Sequence, residues 1–83
     1  MVKFSVIIPV YNASGTLDKC LTSVLNQTTR DYEVIAVDDC SSDSSREIIK
    51  QYPVTLLTLE KNSGSGIARN QGANKAKGQI LVF

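Results

Sequence analysis

Runs rich in Val, Ile and Leu at residues 3–10, 32–38, 54–59 and 79–83 alternate along this chain with stretches that carry helix signals. A βαβαβαβ order of this kind predicts an α/β fold, a parallel sheet with helices on its faces and right-handed crossovers between strands. Near-continuous apolar content suits strands covered on both faces, as parallel strands are. The doubly wound arrangement of such a sheet gives the strand order 3-2-1-4, with the fourth strand beside the first.

The helix signals are local. The first helix is expected to begin at Ser14 as N-cap, to carry Asp18 near its positive end and to continue to about Gln27. The second is expected from Ser44, where Ser44-Ser45-Arg46-Glu47 fits a capping box, and Pro53 stops it. The third is expected over residues 66–77, with Gly78 as its C-terminal break. No repeat, low-complexity segment or linker interrupts the pattern, so 83 residues make one small domain at most. The strand at 79–83 is of buried type and nothing follows it, which reads as the first part of a larger domain, incomplete at its C-terminus.

Charge and cysteine usage exclude several function classes. With 9 basic and 8 acidic side chains, the chain has no electrostatic footprint for nucleic acid. The run from Val6 to Val10 is too short for a bilayer span or a secretory core, so the expected location is cytoplasmic, at the inner face of a membrane if a longer parent binds one. Cys20 and Cys40 show no metal-type spacing and the chain has no histidine. Cys20 shares a helical stripe with Leu17, Leu21, Val24 and Leu25 and reads as core. Cys40 reads as a small loop residue, with ligand contact as the alternative.

Two apolar runs end in polar clusters. Phe4-Ser5-Val6-Ile7-Ile8 leads into Pro9-Val10-Tyr11-Asn12, and Val34-Ile35-Ala36-Val37 leads into Asp38-Asp39-Cys40-Ser41-Ser42-Asp43. In open α/β sheets, ligands bind in the crevice outside the carboxyl ends of the strands. Carboxylates at one strand mouth beside an aromatic-amide loop at another suit a polar ligand held by hydrogen bonds. Asp38 and Asp39 are consecutive in a strand, so they point to opposite faces and one of them is structural. Paired acids can bind a metal, act as general acid and base, or accept hydrogen bonds from a base or sugar; capping of the following loop by Asp38 or Asp43 is the competing structural role.

Arg69 lies on a helical stripe with Ser65, Ala68, Gly72, Ala73 and Ala76. The small neighbours predict close approach of that face to the sheet, with Arg69 facing the protein near the strand mouths. There a guanidinium meets an anionic ligand, or pairs internally with Asp38 or Glu60. Gly64 and Gly66 do not make a dinucleotide fingerprint, because such a motif follows the first strand and its third glycine position here is Arg69. No P-loop occurs. A receiver-type acidic site fails as well, because its acids follow the first strand.

These blocks, with Leu25-Asn26-Gln27-Thr28, Asn62-Ser63-Gly64 and Gly66-Ile67-Ala68-Arg69-Asn70-Gln71-Gly72, resemble the start of a family 2 glycosyltransferase with the GT-A fold. The resemblance covers the whole chain in register. It implies a Rossmann-like sheet, the nucleotide-binding half of that fold, and a nucleotide-sugar donor, UDP-linked. It also implies that the loop of Pro9, Val10, Tyr11 and Asn12 packs on the nucleotide base. Asp39 is then the acceptor for the base imide, and Arg69 lies near the donor diphosphate and the base.

In the family, the strand matching 79–83 leads into a DxD motif that binds Mg²⁺ or Mn²⁺ on the diphosphate. That motif, the acidic catalytic base and the acceptor half do not occur in these 83 residues. The resemblance therefore implies catalytic and metal-ligating residues outside this chain. The parent would be an inverting, metal-dependent transferase moving a hexosyl-type sugar to a glycan, lipid-linked or other hydroxyl acceptor in polysaccharide biosynthesis. The isolated chain is expected to be inactive and to associate with itself through its fourth strand, whose outer edge is uncovered. The rival readings are a stand-alone nucleotide-binding or regulatory module and a non-catalytic interaction fragment.

Overall fold

The structure is a computed structural model that describes residues 3–26 and 31–82. It contains β1 (Phe4–Val10), α1 (Leu17–Leu25), β2 (Tyr32–Asp38), α2 (Ser45–Ile49), β3 (Thr55–Thr58), α3 (Ser65–Lys75) and β4 (Gln79–Val82). The sheet has the order β3-β2-β1-β4 and every pair is parallel. Val6 lies opposite both Val34 and Leu81, so β1 is paired along both edges. The fourth strand is described over Gln79–Val82; Phe83, to which it is expected to run, lies outside the described residues, as do Gln27 and Thr28.

Alternation along the two central strands separates two cores. On one face Ile8, Val10, Val34 and Ala36 pack with Leu17, Leu21 and Val24 of α1 and Ile49 of α2. On the other, Ile7, Ile35 and Val37 pack with Ala68 of α3. Cys20 packs at the margin of the first cluster, where burial pushes its thiol pKa up, and both cysteines are free thiols.

The second helix follows Ser44 and the third starts one residue before Gly66, close to expectation, whereas the first starts late and the caps of the first two differ. Residues 14–16 form a turn, α1 begins at Leu17 after Thr16, and no side chain caps it. The Thr16 and Leu17 amides instead donate to the carbonyl of Ala13. The capping box at Ser44 does not form either. Its place is taken by Asp43, whose Oδ1 accepts the Ser45 amide at 2.9 Å and the Ser45 hydroxyl at 2.6 Å.

Gly78 is not the helix break. Extended backbone at Ala76 ends α3, and Gly78 sits where a Cβ would stand 2.8 Å from the carbonyl carbon of Lys3. The crossover is tied down there by the buried Ser5 hydroxyl, which donates to Glu33 Oε2 at 2.7 Å and accepts the Gly78 amide at 2.9 Å. Glu33 Oε2 also accepts the Lys77 amide at 2.7 Å, and these bonds, led by that of Ser5, hold its carboxyl below the usual range.

Candidate functional site

Ladder hydrogen bonds run past the strand ends and bring the mouths of β1, β2 and β3 together. The Asp39 amide donates to Val10 O at 2.8 Å, and the Leu59 amide donates to Asp38 O at 2.9 Å. The two aspartates then part, as consecutive strand residues must. Asp38 turns to the α2 side, where Oδ2 accepts the Ser41 amide at 3.0 Å and lies 3.3 Å from Arg46 Nε. It is fully buried, and its Oδ1 has no hydrogen-bond partner among the described residues. Its cationic partner is Arg46, and not Arg69. Asp38 is therefore the structural member of the pair.

Asp39 turns to the α3 side. Its Oδ1 accepts the Ser63 amide at 2.7 Å and Oδ2 accepts the Gly64 amide at 2.8 Å. These amides precede α3, where the helix end favours negative charge. The two bonds use half of the carboxylate's roughly four acceptor positions, so it keeps acceptor capacity toward a ligand.

That capacity borders a small cleft of about 90 Å³ lined by Pro9, Val10, Tyr11, Asp39, Ser65 and Ala68. Tyr11 is 53% exposed, so its ring is a free flat surface for stacking. Asp39 is only 4% exposed, which makes its carboxylate a directed acceptor. Ser65 and Ala68 keep the α3 wall low. Such a cleft can hold a planar group that stacks on an aromatic ring and donates N–H to a carboxylate.

Four of the six residues singled out in the sequence, Pro9, Val10, Tyr11 and Asp39, line this one cleft. Asn12 does not. Its Oδ1 accepts the Ser42 amide at 2.8 Å and its own amide donates to Ser41 Oγ at 2.9 Å, so it is engaged with the neighbouring loop. Arg69 is also outside the lining and is exposed, which corrects the expectation that it faces the protein. The buried members of its helix are Ala68 and Gly72, and Arg69 lies one residue around from them. Ser65 and Ala68 were placed on the α3 stripe from sequence without a site role; their signal was their smallness on the helix face nearest the strand mouths.

Among the described residues no three Asp, Glu, Cys or His side chains gather as a metal ligand set. Asp39 is held by two amides and Asp38 by a guanidinium and an amide, so this acidic pair does not fit a divalent ion. Cys40 lies outside the cleft lining; it has φ 59 and its Sγ is 3.5 Å from Glu60 O.

Comparisons with known proteins agree on one family. The profile of Glycosyl transferase family 2 matches residues 5–83. The poly(ribitol-phosphate) beta-glucosyltransferase of Bacillus spizizenii is 43% identical over 89 residues, covering 98% of this chain and 14% of the relative. Glycosyltransferase AglE of Haloferax volcanii is 42% identical over 86 residues, covering 95% of this chain and 28% of the relative. Staphylococcus aureus TarS in complex with UDP-GlcNAc superposes with a TM-score of 0.94 at 36% identity, covering 99% of this chain and 26% of that one. The chain thus spans 14% to 28% of the length of these relatives. With the profile match over 5–83 and a sheet that is the Rossmann-like portion of the GT-A fold, the chain belongs to glycosyl transferase family 2.

Proposed function

We propose that this stretch is the donor-nucleotide site of an inverting glycosyltransferase that moves a hexosyl-type sugar from a UDP-sugar to an acceptor hydroxyl. The observation that carries the reading is the single cleft in which Tyr11 and Asp39 face one small space. Tyr11 stacks on the base and Asp39 accepts its imide N–H. The structures of TarS with UDP and with UDP-GlcNAc, each superposing with a TM-score of 0.94, support the same reading.

Arg69, exposed on α3 near the cleft residue Ala68, serves the donor diphosphate. A Mg²⁺ or Mn²⁺ ion would neutralise charge on the diphosphate as the nucleotide leaves, held by residues outside this stretch. A mannosyltransferase from Pyrobaculum calidifontis, with a TM-score of 0.81 at 25% identity, is in complex with GDP-Man and Mn²⁺. The acceptor is a glycan, a lipid-linked or another hydroxyl compound, met in the cytoplasm or at the inner face of a membrane. The isolated 83-residue chain is inactive and pairs with a second copy along β4, an edge strand on which Ile80 is 45% exposed.

Titration with UDP and GDP, followed by amide NMR, tests the reading. UDP shifts resonances around Tyr11 and Asp39 more than GDP does, and Asp39→Asn weakens UDP binding by about 10- to 100-fold, the worth of a charge-assisted hydrogen bond. A folded sample with no shifts there at millimolar UDP would sink the idea.

A further inference from the structure

Three consecutive backbone amides after Tyr11 donate across to side chains of the loop that follows β2. Asn12 N reaches Ser41 Oγ at 2.9 Å, Ala13 N reaches Ser45 Oγ at 3.0 Å, and Ser14 N reaches Asp43 Oδ2 at 3.1 Å. One bond returns, from the Ser42 amide to Asn12 Oδ1 at 2.8 Å, with the Ser42 hydroxyl at 3.3 Å from the same oxygen. Backbone amides of one loop are thus satisfied by side chains of another, where a free surface loop would use water.

The acceptors are themselves fixed. Ser41 and Ser45 are buried. The Ser41 amide is held by Asp38 and its carbonyl accepts Arg46 Nη2 at 2.9 Å. Asp43 is anchored through Oδ1 to the Ser45 amide and hydroxyl. The ion pair of buried Asp38 with part-exposed Arg46, neither of which lines the cleft, is therefore the footing of this stitch. Asn12 adds a backbone constraint, since its φ of 47 lies in the left-handed region that Asn adopts more readily than most residues.

None of Asn12, Ser41, Asp43 and Ser45 lines the cleft, yet Tyr11 is the residue immediately before the stitched segment and Asp39 lies two residues before Ser41. We propose that Asn12 and Asp43 are positioning residues that act on the nucleotide through Tyr11, by locking the loop after β1 onto the loop after β2. This rests on the donor-site reading above. It makes Asn12 a part of the binding machinery that does not touch the ligand. Pre-organisation of this kind raises affinity by removing loop-ordering costs from the binding step.

The test is a mutant cycle in the full-length protein, with UDP affinity measured by calorimetry and folding by thermal melts. Asn12→Gly keeps the left-handed backbone and removes the acceptor; Asp43→Ala removes the bond to Ser14 from the other side. Each is expected to weaken UDP by about 5- to 20-fold, consistent with the large penalties that small misplacements bring. Each combined with Tyr11→Ala is expected to bind no more weakly than Tyr11→Ala alone, because residues acting through one group are not additive. Asn12→Asp, which keeps the acceptor and tolerates the same backbone, is expected to retain more affinity than Asn12→Gly. Unchanged UDP affinity in folded Asn12→Gly and Asp43→Ala, with only a lower melting temperature, overturns the proposal. Losses that add fully to that of Tyr11→Ala overturn it too. If Tyr11→Ala itself binds UDP like wild type, the donor-site reading is what fails, and the positioning role falls with it. Should Asp43→Ala not fold, Asn12→Gly and Asn12→Asp decide alone.

Discussion

Gly72 of α3 lies against Ile7 of β1 so closely that a Cβ on Gly72 would stand 2.6 Å from Ile7 Cγ2 and 3.0 Å from Val37 Cγ2. Both atoms belong to β-branched side chains of the central strands, which have little freedom to withdraw. Gly72→Ala gains about 1 kcal/mol of helix propensity. Overpacking costs about 1 to 3 kcal/mol, so a net loss of stability is expected, read as a lower urea midpoint. A higher midpoint would mean that α3 can step away from the sheet at little cost.

Cys40 carries φ 59, a left-handed backbone at a residue with a Cβ. That conformation costs about 1 to 2 kcal/mol for most side chains. Cys40→Gly relieves it, offset in part by the greater freedom of glycine in the unfolded chain, for a net gain of up to about 1 kcal/mol. Thermal melts under reducing conditions check the sign. The substitution gives up the weak contact of Sγ with Glu60 O.

Acid should loosen the stitched loops. The hydrogen bond from the Ser45 hydroxyl, with the Ser45 and Ser14 amides behind it, lowers the Asp43 carboxyl from an ordinary 3.8 to about 2. Its folded value lies below its unfolded one, so its contribution is present above the unfolded value and is lost as pH falls through the folded one. Glu33, lowered chiefly by Ser5, acts in the same direction at the opposite end of the sheet. Melting temperature is therefore expected to fall between about pH 4 and pH 2. Asp43→Ala is expected to be less stable near neutrality and to lose less on acidification. Parallel pH profiles for the two proteins would remove Asp43 from the account.

Arg69 is exposed and has no salt bridge among the described residues. Arg69→Lys in the full-length protein is expected to leave the melting temperature unchanged and to lower kcat/KM by about 10-fold, because an ammonium lacks the planar fork that grips a diphosphate. Normal turnover with a lower melting temperature would assign Arg69 to the fold.

The strands were legible because buried parallel strands need apolar side chains on both faces, and the runs at 32–38 and 3–10 supply them with hardly a break. The cleft was legible for a related reason: Tyr11 and Asp39 are polar residues placed where those runs stop. The capping of the first two helices was not legible. Capping rules are local, whereas Asp43 serves Ser45 and reaches across to Ser14, a pairing only the tertiary fold creates. Arg69 was placed inward because a stripe of small residues fixes a helix face only to within one position. The buried members turned out to be Ala68 and Gly72. Gly78 was read as a helix ending, but its requirement comes from the backbone of Lys3, distant in sequence.

The central place of β1 has a consequence for how the chain comes to be folded. As the polypeptide emerges during synthesis, β1 appears first, and β2 can soon cover one of its edges. Its other edge must wait for β4, and the Ser5 hydroxyl must wait for the Gly78 amide, 73 residues away. Contacts so distant in sequence are slow to close, and until they do this apolar central strand offers a bare edge to any neighbouring chain. The nascent protein is therefore most exposed to mispairing in the interval before α3 and β4 arrive, and a chaperone that shields an apolar strand edge would be of most use to it then.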